Sequence, residues 1–503
     1  MTQEKLLQNS PVEASLETYF DNFRQHIVGI NHHFDSPYGE KRILYADWTA
    51  SGRLFQPIED KLHKEIGPFV ANTHTETSIT GAAMTQAYHK ARDIIKAHVN
   101  ASDKDVLISV GSGMTGAINK FQRILGLKVS EGLEGFAKIP DELRPIVFVS
   151  HMEHHSNQIS WIETIAQVEV IPCNEEGLIC LHNLEAALEK FKDRKIKFVS
   201  VTACSNVTGI KTDYHAIAKI THQYGGLCFV DFACSAPYVE INMHPDDPEE
   251  ALDAIFFSPH KFLGGPGSSG ILVFHQKLYA NLIPDNPGGG TVTFTDPWGG
   301  RKYINDIEIR EDGGTPAFLQ TIKVALAMQL KDQMGVKNIL AREYEINEIM
   351  FERLSKIKGL HLYAGEHKDR LGIFSFSIQG IHYNLLAKLL NDRFGIQSRG
   401  GCSCAGTYGH HLFNLSKIVS ETIQEMIQAG CLTDKPGWVR ISIHPTMRNA
   451  EIQYICDALE SIVANHESWK EAYKYNLKTN DFDFKGESEQ IEKTVNKWFQ
   501  LSY

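Results

Sequence analysis

The feature that most constrains the fold is a repeated alternation of short apolar runs with amphipathic helical segments. Apolar residues recur at helical spacing at 82–99, 183–191 and 214–224. Runs that are apolar along their whole length are typical of strands covered on both faces. The sequence therefore predicts an α/β architecture around a mainly parallel sheet. The predicted strands are DVLISV (105–110), PIVFVS (145–150), KFVSVT (197–202), GLCFVD (226–231) and AIFFS (254–258).

Beyond about residue 320 the pattern changes and predicts a second, smaller α+β domain. Long helices are predicted first, and shorter strands and helices follow them. These elements are 317–333, 336–356, 372–378, 383–393 and 439–444. We predict an N-terminal segment at 1–40, a large domain at 41–320, a small domain at 321–475 and a polar tail at 476–503. Within that tail we expect residues 476–490 to be poorly ordered.

Charge and cysteine content exclude several classes of protein. Lys and Arg number 50 against 61 Asp and Glu, a net charge of -11, which argues against nucleic acid or an anionic membrane as the main partner. No apolar run approaches the ~18 residues of a membrane-spanning helix, and the first fifteen residues lack the plan of a secretory signal. The nine cysteines are scattered and odd in number. We therefore expect reduced thiols and a cytoplasmic location.

The motif Gly111-Ser-Gly113-Met-Thr-Gly116 has the G-x-G-x-x-G spacing of dinucleotide-binding proteins. That interpretation requires an acid about 20 residues on, at the end of the next strand. Glu131 has the spacing but lies in a glycine-bearing loop, and the next strand ends without an acid. The motif also fits a helix start whose backbone N–H groups and Thr115 hydroxyl bind one phosphate. A plain glycine turn into a helix remains the alternative.

Asp231 and Lys261 favour the phosphate interpretation. Asp231 ends a predicted strand, and Lys261 lies between the next strand and the glycine-rich turn GGPGSSG. A partly desolvated lysine can form a Schiff base, and an aspartate can keep a pyridinium nitrogen protonated, which makes pyridoxal phosphate an electron sink. Ser258 and His260 flank the lysine and can reach the same phosphate as Thr115. A helix N-cap and a surface lysine are the alternatives for each residue taken singly.

On these residues the chain resembles the class V aminotransferase group of fold-type I pyridoxal-phosphate enzymes. Within that group it is similar to the cysteine desulfurases and selenocysteine lyases, from about Tyr45 to about residue 465. The resemblance implies a fold-type I transferase with a large, mainly parallel domain and a smaller α+β domain. It also implies that segment 1–40 packs on the small domain and that two copies share their active sites. The matching motifs are YADWTASG (45–52), ANTHTE (71–76), SHMEHHSN (150–157), SNVTG (205–209), SPHK (258–261), GGTPA (313–317) and VRIS (439–442).

The same resemblance implies roles for individual residues. The catalytic residues are Lys261, as the Schiff-base lysine, Cys404, as the nucleophile, and His154, which stacks on the cofactor ring. Thr315 reaches the phosphate of the neighbouring subunit, and Arg440 binds the substrate carboxylate. The cofactor-binding set is Gly113, Met114, Thr115, His154, Asn206, Asp231, Cys234, Ser258, His260, Lys261 and Thr315. The substrate-binding set is Arg440, Arg399, Ala50, Asn206 and His74.

The sequence departs from the desulfurase pattern at two positions near the site. Cys234 stands where the family commonly has a glutamine that contacts the ring hydroxyl, which leaves the reaction subtype open. The segment Arg399-Gly-Gly-Cys402-Ser-Cys404-Ala matches the loop of the nucleophilic cysteine, with Cys402 in place of a residue that is often histidine. A tight glycine turn whose cysteines only pack is the alternative for this loop.

Two other classes of function are weighed against the enzyme. His151, Glu153, His154 and His155 suggest zinc, but none of the usual zinc-binding spacings is present, so we predict no metal. A degenerate scaffold with a binding role alone is disfavoured by the retention of the site residues together.

We expect a homodimeric pyridoxal-phosphate enzyme that acts on a small amino acid. The favoured reaction is desulfuration of L-cysteine, with a sulfur-acceptor protein as a partner and without nucleic acid or membrane. The alternative is transamination or β-elimination in which Cys404 takes no part.

Overall fold

The chain divides into two units by the contacts between its residues. The large unit comprises Thr49–Asn206 and Ile210–Leu340, and the small unit comprises Met1–Trp48, Val207–Gly209 and Ala341–Tyr503. The structure is a computed structural model that describes residues 15–73, 75–133, 139–433, 435–486 and 490–501. The boundaries at residues 40, 320 and 475 stay a prediction, because contacts do not show which segments fold alone.

Strands and helices alternate through the first half of the chain as the sequence predicts. The strands are β1 His33–Ser36, β2 Gly39–Arg42, β3 Leu44–Tyr45, β4 Asp105–Val110, β5 Ile146–Ser150, β6 Gln167–Ile171, β7 Lys197–Thr202, β8 Leu227–Asp231, β9 Ala254–Phe257, β10 Gly270–His275, β11 Val292–Thr295, β12 Arg301–Tyr303, β13 Leu360–Leu362, β14 Ile373–Ile378, β15 Ile396–Gln397, β16 Arg399–Gly401, β17 Trp438–Ser442, β18 Tyr473–Asn476 and β19 Asp481–Phe484. The helices are α1 Leu16–Arg24, α2 Gln56–Asp60, α3 Ile79–His98, α4 Met114–Ile124, α5 His155–Ile162, α6 Leu181–Lys190, α7 Tyr214–Gln223, α8 Ile307–Glu311, α9 Phe318–Met334, α10 Val336–Leu354, α11 Tyr383–Phe394, α12 Gly406–Leu412, α13 Lys417–Gln428, α14 Asn449–Trp469 and α15 Gln490–Trp498.

A mainly parallel sheet forms the centre of the large unit and confirms the predicted α/β architecture. Its strand order is β4-β10-β9-β8-β7-β5-β6. Strands β9, β8, β7, β5 and β6 run parallel to one another. Strand β10 is antiparallel to its two neighbours, β4 and β9. Helix α4 covers one face of the sheet, where Phe121 packs edge-on against Phe229 with ring centroids 5.0 Å apart.

Parallel register brings the carboxyl ends of β5, β7, β8 and β9 to one edge of the sheet. Thr202, the last residue of β7, lies opposite Asp231, the last residue of β8, and Asp231 lies opposite Phe256 of β9. Ligands of open α/β sheets bind outside the carboxyl ends of the strands. This edge is therefore where the structure positions the predicted site residues of the large unit.

An antiparallel sheet of strand order β13-β14-β17-β16 is the centre of the small unit. A parallel pair of β3 and β15 lies in the same unit. Helix α1 is tied to the start of α14, because Arg24 pairs with the Glu451 carboxylate at 2.6 Å and donates to the Thr446 carbonyl at 3.0 Å. Arg42 binds the same carboxylate at 2.6 Å.

The expectation that residues 476–490 are poorly ordered is wrong for the part that the structure describes. Strands β18 and β19 pair as an antiparallel hairpin. The Phe484 ring packs against those of Tyr473 and Tyr38, at centroid distances of 5.6 and 5.7 Å. Buried Asn480, between the strands, donates to the Tyr383 hydroxyl at 2.6 Å. Although the segment is polar overall, its strands carry aromatic residues at every second position: Tyr473 and Tyr475 in β18, and Phe482 and Phe484 in β19. Alternate residues of a strand share one face, so these rings give the hairpin one packed face. Residues 487–489 lie outside the described ranges.

No helix within the described ranges is both long and apolar enough to cross a membrane. None of the nine cysteines, all of which lie in the described ranges, forms a disulfide.

Candidate active site

Asp231 and Lys261 are positioned by neighbouring parallel strands. Asp231 is 2% exposed at the end of β8, and its Oδ1 accepts the Ala233 backbone N–H at 2.8 Å. Lys261 ends a single helical turn, Pro259–Lys261, which follows β9. Burial raises the pKa of Asp231 to about 6, against the opposing effects of the Ala233 N–H and the positive charge of Lys261. The acid is therefore desolvated yet mostly ionised at neutral pH.

The beginning of α4 is joined to the lysine turn by a hydrogen bond. Met114, its first residue, donates its backbone N–H to Ser258 Oγ at 2.8 Å. A Cβ added at Gly113 would lie 3.1 Å from Ser258 Oγ and 3.7 Å from the His260 ring, so a larger residue would crowd this space. Thr115 Oγ1 lies 2.7 Å from Ser156 Oγ, near the start of α5. Hydroxyl groups from three segments thus accompany the backbone N–H groups at the start of α4.

The functional groups of these residues match those of pyridoxal phosphate. Hydroxyls and a helix N-terminus favour a phosphate, the buried carboxylate of Asp231 favours a protonated ring nitrogen, and Lys261 favours an aldehyde. Glycine at position 113 leaves the Ser258 hydroxyl uncrowded beside the start of α4.

Glu153 and His154 have different structural roles at the start of α5. His154 caps the helix, since its Nδ1 accepts the Ser156 N–H at 3.1 Å. Glu153 is completely buried and accepts hydrogen bonds from the Ser150 hydroxyl, from Asn157 Nδ2 at 2.7 Å and from the Thr202 N–H at 3.0 Å. Burial raises the pKa of Glu153 to about 7, and the charge of Asp231 acts in the same direction. Glu153 therefore ties β5, α5 and β7 together behind the site, a role that the sequence analysis missed.

Residues 50–52 pack against the lysine turn. Gly52 donates its N–H to the His260 carbonyl at 2.9 Å, and a Cβ at Gly52 would lie 2.0 Å from the Phe262 carbonyl oxygen. Ser51 Oγ lies 3.4 Å from His260 Nδ1. Burial, followed by the charge of Lys261, lowers the pKa of His260 to about 4, so the imidazole is neutral at pH 7. Ala50 is half-buried in this segment, whereas His74 lies outside the described residues.

The buried Cys234 thiol has a partner within the large unit. Its Sγ donates to the Cys204 carbonyl at 2.8 Å. Asn206 follows two residues later and is also buried. The position at which the family commonly has glutamine thus holds a thiol directed at the protein backbone.

Thr315 lies on an exposed loop of the large unit. The adjacent Gly314 donates its N–H to the Gly289 carbonyl at 2.9 Å, which ties this loop to the NPGGG segment. Exposed apolar side chains are found on the same stretch of chain, at Leu282, Phe294 and Trp298, which are 85%, 59% and 90% exposed.

In the small unit, Arg440 and Arg399 share one carboxylate. Arg440 Nη2 donates to Asp47 Oδ1 at 2.8 Å, and Arg399 Nε donates to Asp47 Oδ2 at 3.0 Å. The side chains of Arg440 and Asp47 are 4% and 12% exposed, and that of Arg399 is half-exposed. Asp47 lies inside YADWTASG, but its pairing with both arginines was not predicted.

Cys404 is exposed on a strained turn. Residues 402–405 are closed by a hydrogen bond from the Ala405 N–H to the Cys402 carbonyl, at 3.1 Å. The two central residues, Ser403 and Cys404, have φ angles of +51° and +56°. Positive φ at both central positions is the mark of a type I′ turn, which normally selects asparagine and glycine. Cys402 is half-buried.

The structure thus gathers most of the predicted residues into one group in each unit; Thr315 lies on an exposed loop, and His74 lies outside the described residues. The large unit brings together the starts of α4 and α5 and the carboxyl ends of β8 and β9. The small unit brings together Arg399, Arg440 and the turn at residues 402–405. The predicted role of each residue stays a prediction. Ser156 and Asp47 were missed although both lie inside quoted motifs, because a motif match does not show which side chains pair across the fold.

Known proteins resemble this chain over most of its length. The sequence model of the family Aminotransferase class-V matches residues 44–455. A probable cysteine desulfurase of Staphylococcus epidermidis is 29% identical over 373 residues, which cover 73% of this chain and 84% of that protein. A probable cysteine desulfurase of Halalkalibacterium halodurans is 28% identical over 368 residues, which cover 72% and 84%.

Solved structures resemble the fold. The apo structure of a cysteine desulfurase from Thermococcus onnurineus superposes with a TM-score of 0.70 at 22% identity, over 88% of this chain and 98% of that chain. A cysteine desulfurase from Escherichia coli gives a TM-score of 0.68 at 19% identity, over the same shares. This likeness confirms the predicted fold-type I architecture.

Proposed function

Because the chain belongs to the aminotransferase class-V family, whose members are pyridoxal-phosphate enzymes, we propose that it is a cysteine desulfurase. It binds pyridoxal phosphate in the large unit and converts L-cysteine to L-alanine, leaving the sulfur as a persulfide on Cys404. The observation that carries the proposal is the buried, mostly ionised Asp231 beside Lys261, adjoining the hydroxyl-rich start of α4. The relatives named as probable cysteine desulfurases support the choice of substrate.

Each cofactor contact is assigned to a residue whose chemistry suits it. Lys261 attaches the cofactor, Asp231 pairs with its ring nitrogen, and His154 lies against its ring. Thr115, Ser258 and the first N–H groups of α4 bind its phosphate. When bound, pyridoxal phosphate supplies an electron sink for negative charge that develops on the substrate. His260 is neutral at pH 7, so it can bond the phosphate or the turn without adding a second positive charge beside Lys261.

Lys261 carries protons during the reaction. With pyridoxal phosphate bound, the Lys261 Nζ would take the proton from the substrate Cα and return a proton to the carbon that becomes the alanine methyl group. Arg440 holds the substrate carboxylate and so fixes the orientation of the Cα–H bond. Asp231, buried and anionic, keeps the charge of the ring nitrogen in place throughout.

The sulfur moves to Cys404 in a step that balances without an outside oxidant. The Cys404 thiolate attacks the substrate sulfur, and a new S–S bond forms as the sulfur–Cβ bond breaks. The electron pair of the broken bond stays with the substrate carbon, which is protonated to alanine. The products are one persulfide and one alanine, and a thiol of an acceptor protein then removes the terminal sulfur.

We propose in addition a homodimer in which Thr315 reaches the partner's phosphate. The exposure of Thr315 supports this arrangement. Leu282, Phe294 and Trp298, between Lys261 and Thr315 in the sequence, are exposed as well. The nine cysteines, none of which is in a disulfide, support a reducing, cytoplasmic location.

Cofactor attachment is tested by reduction of the purified protein with borohydride and peptide mass spectrometry. The cofactor should be recovered on Lys261. A Lys261→Ala variant should lose turnover even where it still holds the cofactor non-covalently. Recovery of the label on another lysine, or co-purification of a dinucleotide, would overturn the assignment.

The reaction is tested with a panel of amino acids, scored for alanine, sulfide, pyruvate and keto acids. The wild type should release equal amounts of alanine and sulfane sulfur from L-cysteine. Cys404→Ser should abolish sulfur release and leave the cofactor's spectral response to cysteine intact. Wild-type sulfur release by that variant, or formation of keto acids with no action on cysteine, would reject the desulfurase and favour an aminotransferase or β-lyase.

A further inference from the structure

Arg399 and Arg440 lie directly opposite each other in the small unit. They are Cα partners in the antiparallel pairing of β16 with β17. Like charges at directly opposed positions of a sheet destabilise the pairing. Asp47 accepts from both guanidinium groups, at 3.0 and 2.8 Å, and so offsets this repulsion.

Asp47 is fixed in place by its neighbours on both sides. Ala46 donates its N–H to the Gln397 carbonyl at 3.0 Å and accepts the Ser442 N–H at 2.8 Å, which ties the segment to β15 and β17. Trp48 stacks on the His444 ring with centroids 4.1 Å apart and planes 19° apart. These contacts hold the backbone of Asp47 in place beside the two arginines.

The charges of this cluster sum to a single positive charge. Two guanidinium groups stand against one carboxylate. The neighbouring His444 adds none, because its burial lowers its pKa to about 3. An arginine pair without the acid would present two positive charges and would favour a ligand with two carboxylates.

We infer that Asp47 determines the charge of the substrate that this enzyme accepts. With Asp47 in place the cluster matches one carboxylate, as in an amino acid with an uncharged side chain, and it disfavours dicarboxylic amino acids and sulfinates. The inference rests on the proposed function, in which Arg440 holds the substrate carboxylate. Asp47 acts through the arginines and is a positioning residue, not a catalytic one.

The test compares binding of L-alanine and L-aspartate to the holoenzyme by isothermal titration calorimetry. Asp47→Asn should raise the affinity for L-aspartate relative to L-alanine at least tenfold. Asp21→Asn is the matched control, because it removes an acid that pairs with Arg448 at 2.9 Å in the same unit, and it should leave the ratio unchanged. Asp47→Glu keeps the charge and should stay close to the wild-type ratio.

A charge cycle keeps the inference testable if Asp47→Asn folds poorly. Arg399→Gln should shift the ratio toward L-alanine, and the double variant Asp47→Asn/Arg399→Gln, which restores one net positive charge, should return it toward wild type. Equal ratios in wild type and Asp47→Asn, or a double variant that behaves like Asp47→Asn, would overturn the inference. A wild type that binds both ligands and releases no sulfur from cysteine would instead defeat the desulfurase proposal, while the two ratios still decide the role of Asp47.

Discussion

The ionised form of Asp231 lowers the free energy of unfolding of the protein, because the carboxylate is buried. Its pKa rises from the ordinary value of 3.8 to about 6, because it is buried. At 1.36 kcal/mol per pKa unit, the ionised carboxylate costs the cofactor-free protein about 3 kcal/mol at pH 8. Because the pKa is raised, this cost is absent below about pH 4, grows between about pH 4 and 6, and is complete above that range. Asp231→Asn removes the charge and keeps an oxygen that can accept the Ala233 N–H.

We therefore expect Asp231→Asn to stabilise the cofactor-free protein while abolishing turnover. The gain in the free energy of unfolding should be about 3 kcal/mol at pH 8 and about half of that at pH 5, measured by urea denaturation of wild type and variant at both values. In the presence of pyridoxal phosphate the variant should lose this advantage, since it no longer pairs with the ring nitrogen.

Asp253 provides a matched control with the opposite sign. It is buried in the same unit, but bonds from His222, Lys277 and the Cys228 N–H outweigh its burial and lower its pKa. Asp253→Asn should therefore destabilise the protein at pH 8, and the loss should shrink as the pH falls below about 4. An Asp231→Asn variant that is no more stable than wild type at pH 8, or whose gain does not change with pH, would refute the reasoning.

Three further predictions concern the cofactor and the sulfur. Thr315→Val should weaken retention of pyridoxal phosphate during gel filtration, because a hydrogen bond to a charged group is worth roughly 1.5–3 kcal/mol; a fully active monomer would contradict the shared site behind it. Ser258→Ala removes the acceptor of the Met114 N–H and should raise the dissociation constant of the cofactor about tenfold in a fluorescence titration, and an unchanged constant would speak against this phosphate site. Cys402→Ser should preserve the first burst of alanine and slow the later transfer of sulfur to a dithiol; equal loss of both phases would show that Cys402 acts in the first step.

The central sheet was predictable because its strands are apolar throughout. Strands β4 and β7 have the predicted bounds, and β5, β8 and β9 differ from theirs by one residue at an end. Strand β6 was not predicted, because it lies at the edge of the sheet and most of its side chains are only partly buried. Strand β10 was not predicted, although Gly270–His275 is an apolar run directly after the glycine-rich turn.

The site was predictable where residues close in sequence act together, and it was not where they come from distant segments. Asp231 ends β8 and Lys261 closes the turn that follows the neighbouring β9, so the order of the strands brings them to one edge. Asp47 lies 352 residues before Arg399 and 393 before Arg440. No local sequence pattern predicts that its carboxylate binds these two arginines. Only the register of β16 with β17 shows that two like charges meet there and require an acid between them.

The turn at Cys404 owes its shape to residues other than its glycines. The glycines of RGGCSCAG suggest a backbone free to swing, but the left-handed residues in the centre of the turn are Ser403 and Cys404, neither of them glycine. Each such residue costs roughly 1–2 kcal/mol, which the surroundings must offset. The Trp438 indole N–H donates to Ser403 Oγ at 3.0 Å, and Trp438 is itself buried against Phe413. Since buried packing fixes the turn while Cys404 stays exposed, the thiol is presented at a defined place on a rigid support, which suits a nucleophile better than a mobile glycine loop does.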